Sequence, residues 1–303
     1  MSLVTNWLES LSYDLEISAA CLKKISPASS CTVCLDECPE HAVFIDGGKI
    51  FIDKELCTSC GTCITTCPVQ AIKGQSPSRK VIQKYILLQE ESILPTIPEL
   101  FYYHKKGIRS IHKSSKDDVL VKLVQTANES LKAMELEPLR VADELILEIE
   151  DQPKLTRRDL FNKLRIDSKK NLLSSVTPVK WRFNEDNFKI SNLFDGWAFF
   201  VVRIHEESCT LCGGCFNICP SKVFEPNDRV LTIHEENCSG CNLCMDICQS
   251  SAVQISKDIH QQPAPMKYWH QSICSICGSS FHSWTAKDTC HICSTVEKPN
   301  FFL

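Results

Sequence analysis

CTLCGGCFNICP, residues 209–220, decides how the rest of this 303-residue chain is read. Its cysteines, Cys209, Cys212, Cys215 and Cys219, follow the spacing C-x2-C-x2-C-x3-C and are closed by Pro220. The same spacing returns in CTSCGTCITTCP (Cys57, Cys60, Cys63, Cys67) and in CSGCNLCMDICQ (Cys238, Cys241, Cys244, Cys248). Thiolates are soft, anionic metal ligands. A tight loop with this spacing wraps three of them around one iron–sulfur cube while the fourth points toward a second cube. Neither chance nor an ordinary zinc site accounts for three copies.

The runs come in pairs. Cys209 and Cys238 lie 29 residues apart, and counting back 29 from Cys60, Cys63 and Cys67 reaches Cys31, Cys34 and Cys38. SPASSCTVCLDECPEHAVF, residues 26–44, is therefore a fourth copy in which Ala28 stands at the position of Cys57. Extended segments (KIFID, VVRIH, VLTIH) lead into the complete runs. Each loop is expected to pass through one helical turn into another extended segment. Internal repetition of this kind has to be settled before the fold is assigned.

The pattern resembles the bacterial-type dicluster 2x(4Fe-4S) ferredoxin domain of polyferredoxin-like electron-transfer subunits. The resemblance is present twice, over roughly residues 21–73 and 201–256. It implies that the fourth cysteine of each run ligates the other cluster. One cube would then be held by Cys209, Cys212, Cys215 and Cys248, and its partner by Cys238, Cys241, Cys244 and Cys219. In the first half Cys57, Cys60, Cys63 and Cys38 complete a third. The fourth has Cys31, Cys34 and Cys67 and is one thiolate short. Cys21 is the candidate for the gap, joined to Ala28 through LKKISPASS, whose Pro and Ser residues suit an irregular loop. With Cys21 included, eight cysteines in each half and four in the tail account for all 20. The alternatives are a buried, inert thiol at Cys21 or a three-iron cluster on three thiolates.

The tail carries CSICGSSFHSWTAKDTCHIC, residues 274–293, in which two C-x2-C pairs, Cys274/Cys277 and Cys290/Cys293, are separated by 12 residues. The pairs resemble the two knuckles of a zinc ribbon, implying one structural zinc on four thiolates; a rubredoxin-type iron is the runner-up. His282 and His291 stand nearby, but four cysteines already suffice. Such a site staples a segment too small for a core of its own.

Residues 76–195 hold no cysteine. They read as strand (VIQKYILL), helix (IPELFYYHKK), strand (IRSIHK), long helix (Lys116 to about Met134) and strand (ELILEI), a βαβαβ layer with a parallel sheet. Leu120, Leu123, Val124, Ala127, Leu131 and Met134 have helical spacing, and Ser115 with Asp118 makes a partial start signal. His104 and His112, beside lysines, read as solvated. The acidic ELEPLRVADELILEIED is followed by the basic TRRDLFNKLRIDSKK; both read first as solvated faces and second as docking surfaces. The expected protein is α+β. Two ferredoxin-like 2(4Fe-4S) domains (1–75 and 196–262) flank a small α/β domain (76–152) and a basic linker or docking segment (153–195). A four-cysteine zinc-ribbon-like module (263–303) follows.

The net charge of −4 gives no basic footprint for nucleic acid. Lys267, Lys287 and Lys298 are too scattered to supply one in the tail. Twenty cysteines in an exported chain would read as disulfides, but the acidic opening MSLVTNWLESLSYDLEISAA is unlike a signal peptide. TRRDLF has no apolar segment after it, and WAFFVV, Trp197–Val202, is too short to span a bilayer. A cytoplasmic protein with reduced thiols and no membrane span is expected. Only ten glycines occur, and none forms G-x-G-x-x-G or a P-loop. The chain is therefore expected to be a non-catalytic electron-transfer subunit. It would relay single electrons through about four clusters to or from a separate redox enzyme (a molybdopterin enzyme, hydrogenase or flavin reductase) or a soluble carrier. The alternatives are a redox- or iron-sensing adaptor and an enzyme using an open cluster near Ala28.

Overall fold

The computed structural model describes residues 15–74, 77, 79–145 and 188–295. They form two compact units, one from Met1–Cys21 and Thr32–Leu193, the other from Leu22–Cys31 and Phe194–Leu303. The acidic opening up to residue 14, the basic segment TRRDLFNKLRIDSKK, Lys298 and the expected strand ELILEI from Ile146 onward lie outside the described residues.

The first half of the chain begins β1 (Glu16–Ile17), α1 (Leu22–Ile25, grouped with the second unit), α2 (Val33–Asp36), β2 (Val43–Asp46), β3 (Lys49–Ile52), α3 (Thr62–Thr66) and β4 (Ile72–Lys73). β1 and β4 pair antiparallel with Ile17 opposite Ile72. β2 and β3 form a hairpin that turns at Gly47 and Gly48, φ +52° and +76°. A two-residue loop of the type I′ class needs left-handed backbone at both positions, hence the two glycines. Val43, Ile50, Ile64, Ala71 and Ile72 bury one core together with Cys21, Cys34 and Cys63.

A second layer of the first unit comprises β5 (Lys80–Ile82), β6 (Tyr85–Leu88), α4 (Ile97–Lys105), β7 (Ser110–Lys113), α5 (Asp118–Ala133) and β8 (Arg140–Ala142). The sheet order is β5-β6-β7-β8, with β6, β7 and β8 parallel, so the expected βαβαβ arrangement is present. VIQKYILL is not one strand: Gln83 at φ +50° folds it into the antiparallel β5–β6 hairpin. Among the described residues the third parallel strand is Arg140–Ala142. Leu120, Val124, Ala127, Leu131 and Met134 are buried as the helical stripe requires. The start of α5 is Asp117, whose carboxylate accepts from Val119 and Leu120 N–H, rather than Ser115. A residue with an acceptor side chain directly before the first turn satisfies donors that the helix leaves unpaired.

The second unit repeats the first lobe. β9 (Ala198–Ile204), α6 (Gly214–Ile218), β10 (Phe224–Asn227), β11 (Val230–Ile233), α7 (Leu243–Asp246) and β12 (Val253–His260) occur in that order. β9 pairs antiparallel with β12, Ile204 opposite Val253, and β10 with β11. WAFFVV supplies β9. β13 (Met266–Tyr268) then adds to β11 as a third antiparallel strand, and β14 (His270–Ile273), β15 (Ser280–Ser283) and α8 (His291–Thr295) complete the tail. Trp269 and Trp284 from the tail bury against Val202, Ile204, Leu231 and Ile233. The tail is thus continuous with the core of this unit. Within the inserted piece of the unit, LKKI forms the single helical turn α1 where an irregular loop was expected, and Ser30 N–H donates to Asp246 Oδ2 (2.7 Å). No helix among the described residues is long and apolar enough to cross a membrane.

Candidate metal centres

Each complete cysteine run starts from the same backbone hydrogen bond. Asp53 N–H donates to Ala42 C=O (2.8 Å), His205 to Ala252 (2.8 Å) and His234 to Val223 (2.7 Å). Cys57, Cys209 and Cys238 each come four residues after that donor. Residues on either side of the second cysteine then take left-handed backbone: Ser59 and Gly61, Leu211 and Gly213, Gly240 and Asn242, φ between +52° and +77°. These reversals curl the loop so that successive thiols face one point. At Gly240 a Cβ would lie 2.3 Å from the Phe200 ring, so both φ and space demand glycine. One short helix follows, and past its end His41, Gln70, Lys222 and Ser251 (φ +50° to +52°) turn each of the four runs back into a strand.

The fourth cysteine of each run lies with the other run. Burial first, then Cys60, Cys34, Cys57 and Cys38, push the Cys63 thiol up to about 12. Cys215 reaches about 12 through burial and through Cys209, Cys212 and Cys248. Cys244 is raised by burial and then by Cys241, Cys238, Cys219 and Cys215. One cavity is lined by Cys38, Cys57, Cys60 and Cys63 beneath Leu15 and Val43, and another by Cys219, Cys238, Cys241 and Cys244 beneath Val202 and Ile255. Ser221 Oγ, buried without a hydrogen-bond partner, lines the second. Four thiols crowded in a dry pocket repel one another as thiolates, so the arrangement calls for a cationic core to hold them together. The sulfurs are also met by backbone donors: Ala71 N–H to Cys67 Sγ (3.2 Å), Val223 to Cys219 (3.5 Å) and Ala252 to Cys248 (3.2 Å). Donor type, number and surroundings fit a 4Fe-4S cube in each set.

The first run departs from the others. Its strand exit is Ser18, whose N–H donates to Ala71 C=O (2.8 Å), the counterpart of the His205–Ala252 bond. Cys21 follows three residues later, one residue sooner than the first cysteine of the other runs. Nine residues, Ala28 among them, separate Cys21 from Cys31. Cys21 is buried and shares a core with Cys34, against which Cys67 packs. Burial raises the Cys67 thiol and Cys21 adds to the rise, while the N–H groups of Ala71, Val69 and Ile72 oppose it. Cys31 closes the segment grouped with the second unit.

In the tail the sulfurs of Cys274, Cys277, Cys290 and Cys293 all lie within 4.8 Å of one another. Hydrogen bonds from Cys277 and Cys290 N–H bring Cys274 down to about 6, and Ser279 lowers Cys277. Four thiols at this separation fit one tetrahedral ion and leave no open coordination position. His282 packs beside the Trp269 ring, 5.8 Å between centroids, and the ligand set is complete without it or His291.

His104, expected in solvent, is buried, with Nε2 2.8 Å from Glu137 O; His112 is half-buried with Nδ1 2.9 Å from Ala142 O. A parallel sheet covered by helices leaves few solvated side chains along its strands and their connections. Reading the sequence missed Thr65 and Ser250. Thr65, between Cys63 and Cys67, accepts a hydrogen bond from Thr96 Oγ1 (2.9 Å) at the start of α4. Ser250 Oγ lies 3.6 Å from Cys248 Sγ. Only the partial recurrence of a Ser or Val two residues after the fourth cysteine hinted at the latter.

Residues 50–73 match the 4Fe-4S binding domain family and residues 201–249 the 4Fe-4S dicluster domain family. A ferredoxin of Rickettsia felis is 37% identical over 46 residues, 15% of this chain and 42% of that protein. A subunit of an ion-translocating oxidoreductase complex from Methanosarcina acetivorans is 42% identical over 43 residues, 14% of this chain and 16% of that one. A ferredoxin of Saccharopolyspora erythraea is 38% identical over 39 residues, 13% and 37% of the two chains. The chain spans less than half the length of each of these relatives. With the cysteine geometry, the matches mark two ferredoxin-type 4Fe-4S domains and an iron–sulfur electron-transfer chemistry.

Proposed function

We propose that this chain relays single electrons through four 4Fe-4S clusters to or from a separate oxidoreductase or soluble carrier. One observation carries the reading: Cys38, Cys248 and Cys219, the fourth cysteines of their runs, stand among the first three of their partner runs, while Cys67 packs against the core that holds Cys21 and Cys34. The sets are Cys209/Cys212/Cys215/Cys248, Cys238/Cys241/Cys244/Cys219, Cys57/Cys60/Cys63/Cys38 and Cys21/Cys31/Cys34/Cys67. Bound there, 4Fe-4S clusters supply one-electron transfer with little ligand rearrangement. The chain's own residues exclude water, aim N–H donors at sulfur and occupy every coordination position, leaving none for a substrate. In the second unit Cys212 is exposed, which makes its set the natural point of exchange with a partner. The likeness to an oxidoreductase-complex subunit supports a redox enzyme as that partner. The tail set holds zinc, and so many metal-ready thiols suit a reducing compartment such as the cytoplasm.

The test is anaerobic purification of the chain and of Cys21→Ala, with iron, sulfide and zinc counted and EPR spectra taken oxidised and reduced. The expected chain carries about sixteen irons and one zinc, and the variant loses one cube or shows a three-iron signal. If the variant matches the wild type, Cys21 is a bystander and the four-cluster relay is wrong.

A further inference from the structure

The two halves repeat at a fixed offset, with Ile50 and Ile52 of β3 corresponding to Leu231 and Ile233 of β11. The outer edge of β11 is occupied: β13 pairs along it, Thr232 opposite Met266, and Ile233 N–H donates to Pro265 O (2.9 Å). Among the described residues no strand pairs with the corresponding edge of β3. Asp53 N–H is directed at β2, bonding Ala42 O, and in an antiparallel ladder such residues alternate. Lys49 and Phe51 therefore also face β2, and Ile50 and Ile52 turn their N–H and C=O groups to the open edge.

The surface beside that edge is apolar. The Phe44 and Phe51 rings stack at 5.8 Å and are each 43% exposed, with Ile45 and Leu56 also exposed. The covered hairpin has Glu225, Thr232, Pro226 and Asn237 at these four positions. The half with the open edge thus carries the apolar side chains.

We propose that β3 is a dimer interface, pairing antiparallel with β3 of a second copy about a two-fold axis at Phe51. The edge strand itself selects a second copy over an unrelated strand. In KIFID, residues 49–53, centring the pairing on Phe51 sets Lys49 opposite Asp53 of the other copy at both ends. The same register sets Ile50 opposite Ile52, the residues whose backbone groups face outward, so the ladder bonds form between them. Phe51 meets its own counterpart, and Phe44 extends the aromatic row on both sides. Lys49, Phe51 and Asp53 lie on one face, so the charge pairs flank the rings. A patch complementary to itself gives a closed pair rather than a filament.

The measurement is sedimentation equilibrium on the full chain with its clusters, for the wild type, Phe51→Thr (the residue of the second half) and Lys49→Glu. The wild type is expected to dimerise. Both variants should raise the dimer dissociation constant about tenfold or more, with iron content unchanged. The Lys49→Glu effect should shrink in high salt, because the charges are at the rim. A wild type that stays monomeric at about 100 µM, well above the dissociation constants of specific pairs, overturns the proposal; Lys49 would then be a guard on a blunted edge. A dimer indifferent to both substitutions overturns it equally, since its interface lies elsewhere.

Discussion

Replacing Ser250 by alanine is expected to lower the reduction potential of one cluster by about 20 mV. Burial raises the Cys248 thiol, but the Ser250 hydroxyl and the N–H groups of Ala252, Val253 and Ser250 outweigh it and leave the thiol below its ordinary value of 9.0. Donors aimed at a ligand sulfur favour the more negative, reduced cluster, so removing one lowers the potential. A hydrogen bond to a charged acceptor is worth about 1.5–3 kcal/mol. One added electron is spread over the whole cube and its four sulfurs, so roughly a quarter of the lower figure separates the two redox states, about 0.4 kcal/mol. At 59 mV per tenfold for a one-electron couple this is about 20 mV, at the low end because Ser250 is partly solvated. The cluster affected should be the one on Cys209, Cys212 and Cys215, since Cys248 stands among them. Potentiometric titration followed by EPR reads the shift, with Ser221→Ala as the control. The Ser221 hydroxyl, beside Cys219, makes no hydrogen bond, so its loss is expected to leave the potential of the other cluster of the lobe unchanged. A shift smaller than about 5 mV, a shift upward, or an identical loss in Ser250→Thr would refute the hydrogen-bond argument.

Thr96→Ala removes both the reciprocal cap of α4 with Glu99 and the hydrogen bond to Thr65, and should cost about 2 kcal/mol. Guanidinium unfolding should show it, with Thr96→Ser recovering most of the loss. His104 is held below 6.5 by burial, partly opposed by its bond to Glu137 O. The unfolded chain therefore takes up this proton first as pH falls. Stability from this group is complete above about 6.5 and drains away as pH drops toward the folded value. Thermal melts from pH 8 to 5 should show a shallower decline in His104→Gln than in the wild type; parallel declines would remove His104 from the account. Cys277→Ser should release the tail metal while iron content holds, because the four tail sulfurs form a set of their own. Tryptophan emission should report the release, since Trp269 and Trp284 pack edge-to-face at 6.3 Å beside that hairpin. Unchanged metal content would show that the site does not need all four thiols.

What could be read from the sequence was what repeats or has a strong period. The three complete runs declare their loops through spacing alone, and α5 declares itself through Leu120, Val124, Ala127, Leu131 and Met134. What could not be read depends on distant partners. MKY carries no strand signal of its own and becomes β13 because β11 offers it an open edge. Arg140–Ala142, a stretch with little strand signal of its own, pairs with β7, because Leu136 N–H closes α5 on Leu131 O and the short turn that follows delivers Arg140 to the sheet. Gln83 breaks VIQKYILL because a left-handed residue turns the chain back on itself, which no apolar count reveals. His104 looked solvated beside its lysines, yet α4 rotates it inward while Lys105 and Lys106 face out.

The first run joins these two lessons. Counting places Ala28 at the first ligand position because the spacing from Cys31 onward is preserved. The fold instead measures from the strand pair: the Ser18–Ala71 hydrogen bond fixes where the chain leaves the sheet, and Cys21 comes directly after. The nine residues between Cys21 and Cys31 change the approach of the loop, and its backbone records the change. Thr32, at the position of Gly61, Gly213 and Asn242, has φ −130° where those three lie at +60° to +77°. A loop entering from Cys21 no longer needs the left-handed reversal, so a threonine is tolerated and its hydroxyl instead donates to Asp36 (2.7 Å). On the proposed ligation by Cys21, the loss of the glycine-like position and the longer approach of the loop are one change, an insertion. On this argument grafting glycine at Thr32 should do nothing for cluster content, whereas Cys21→Ala should remove one cube or leave a three-iron cluster in its place.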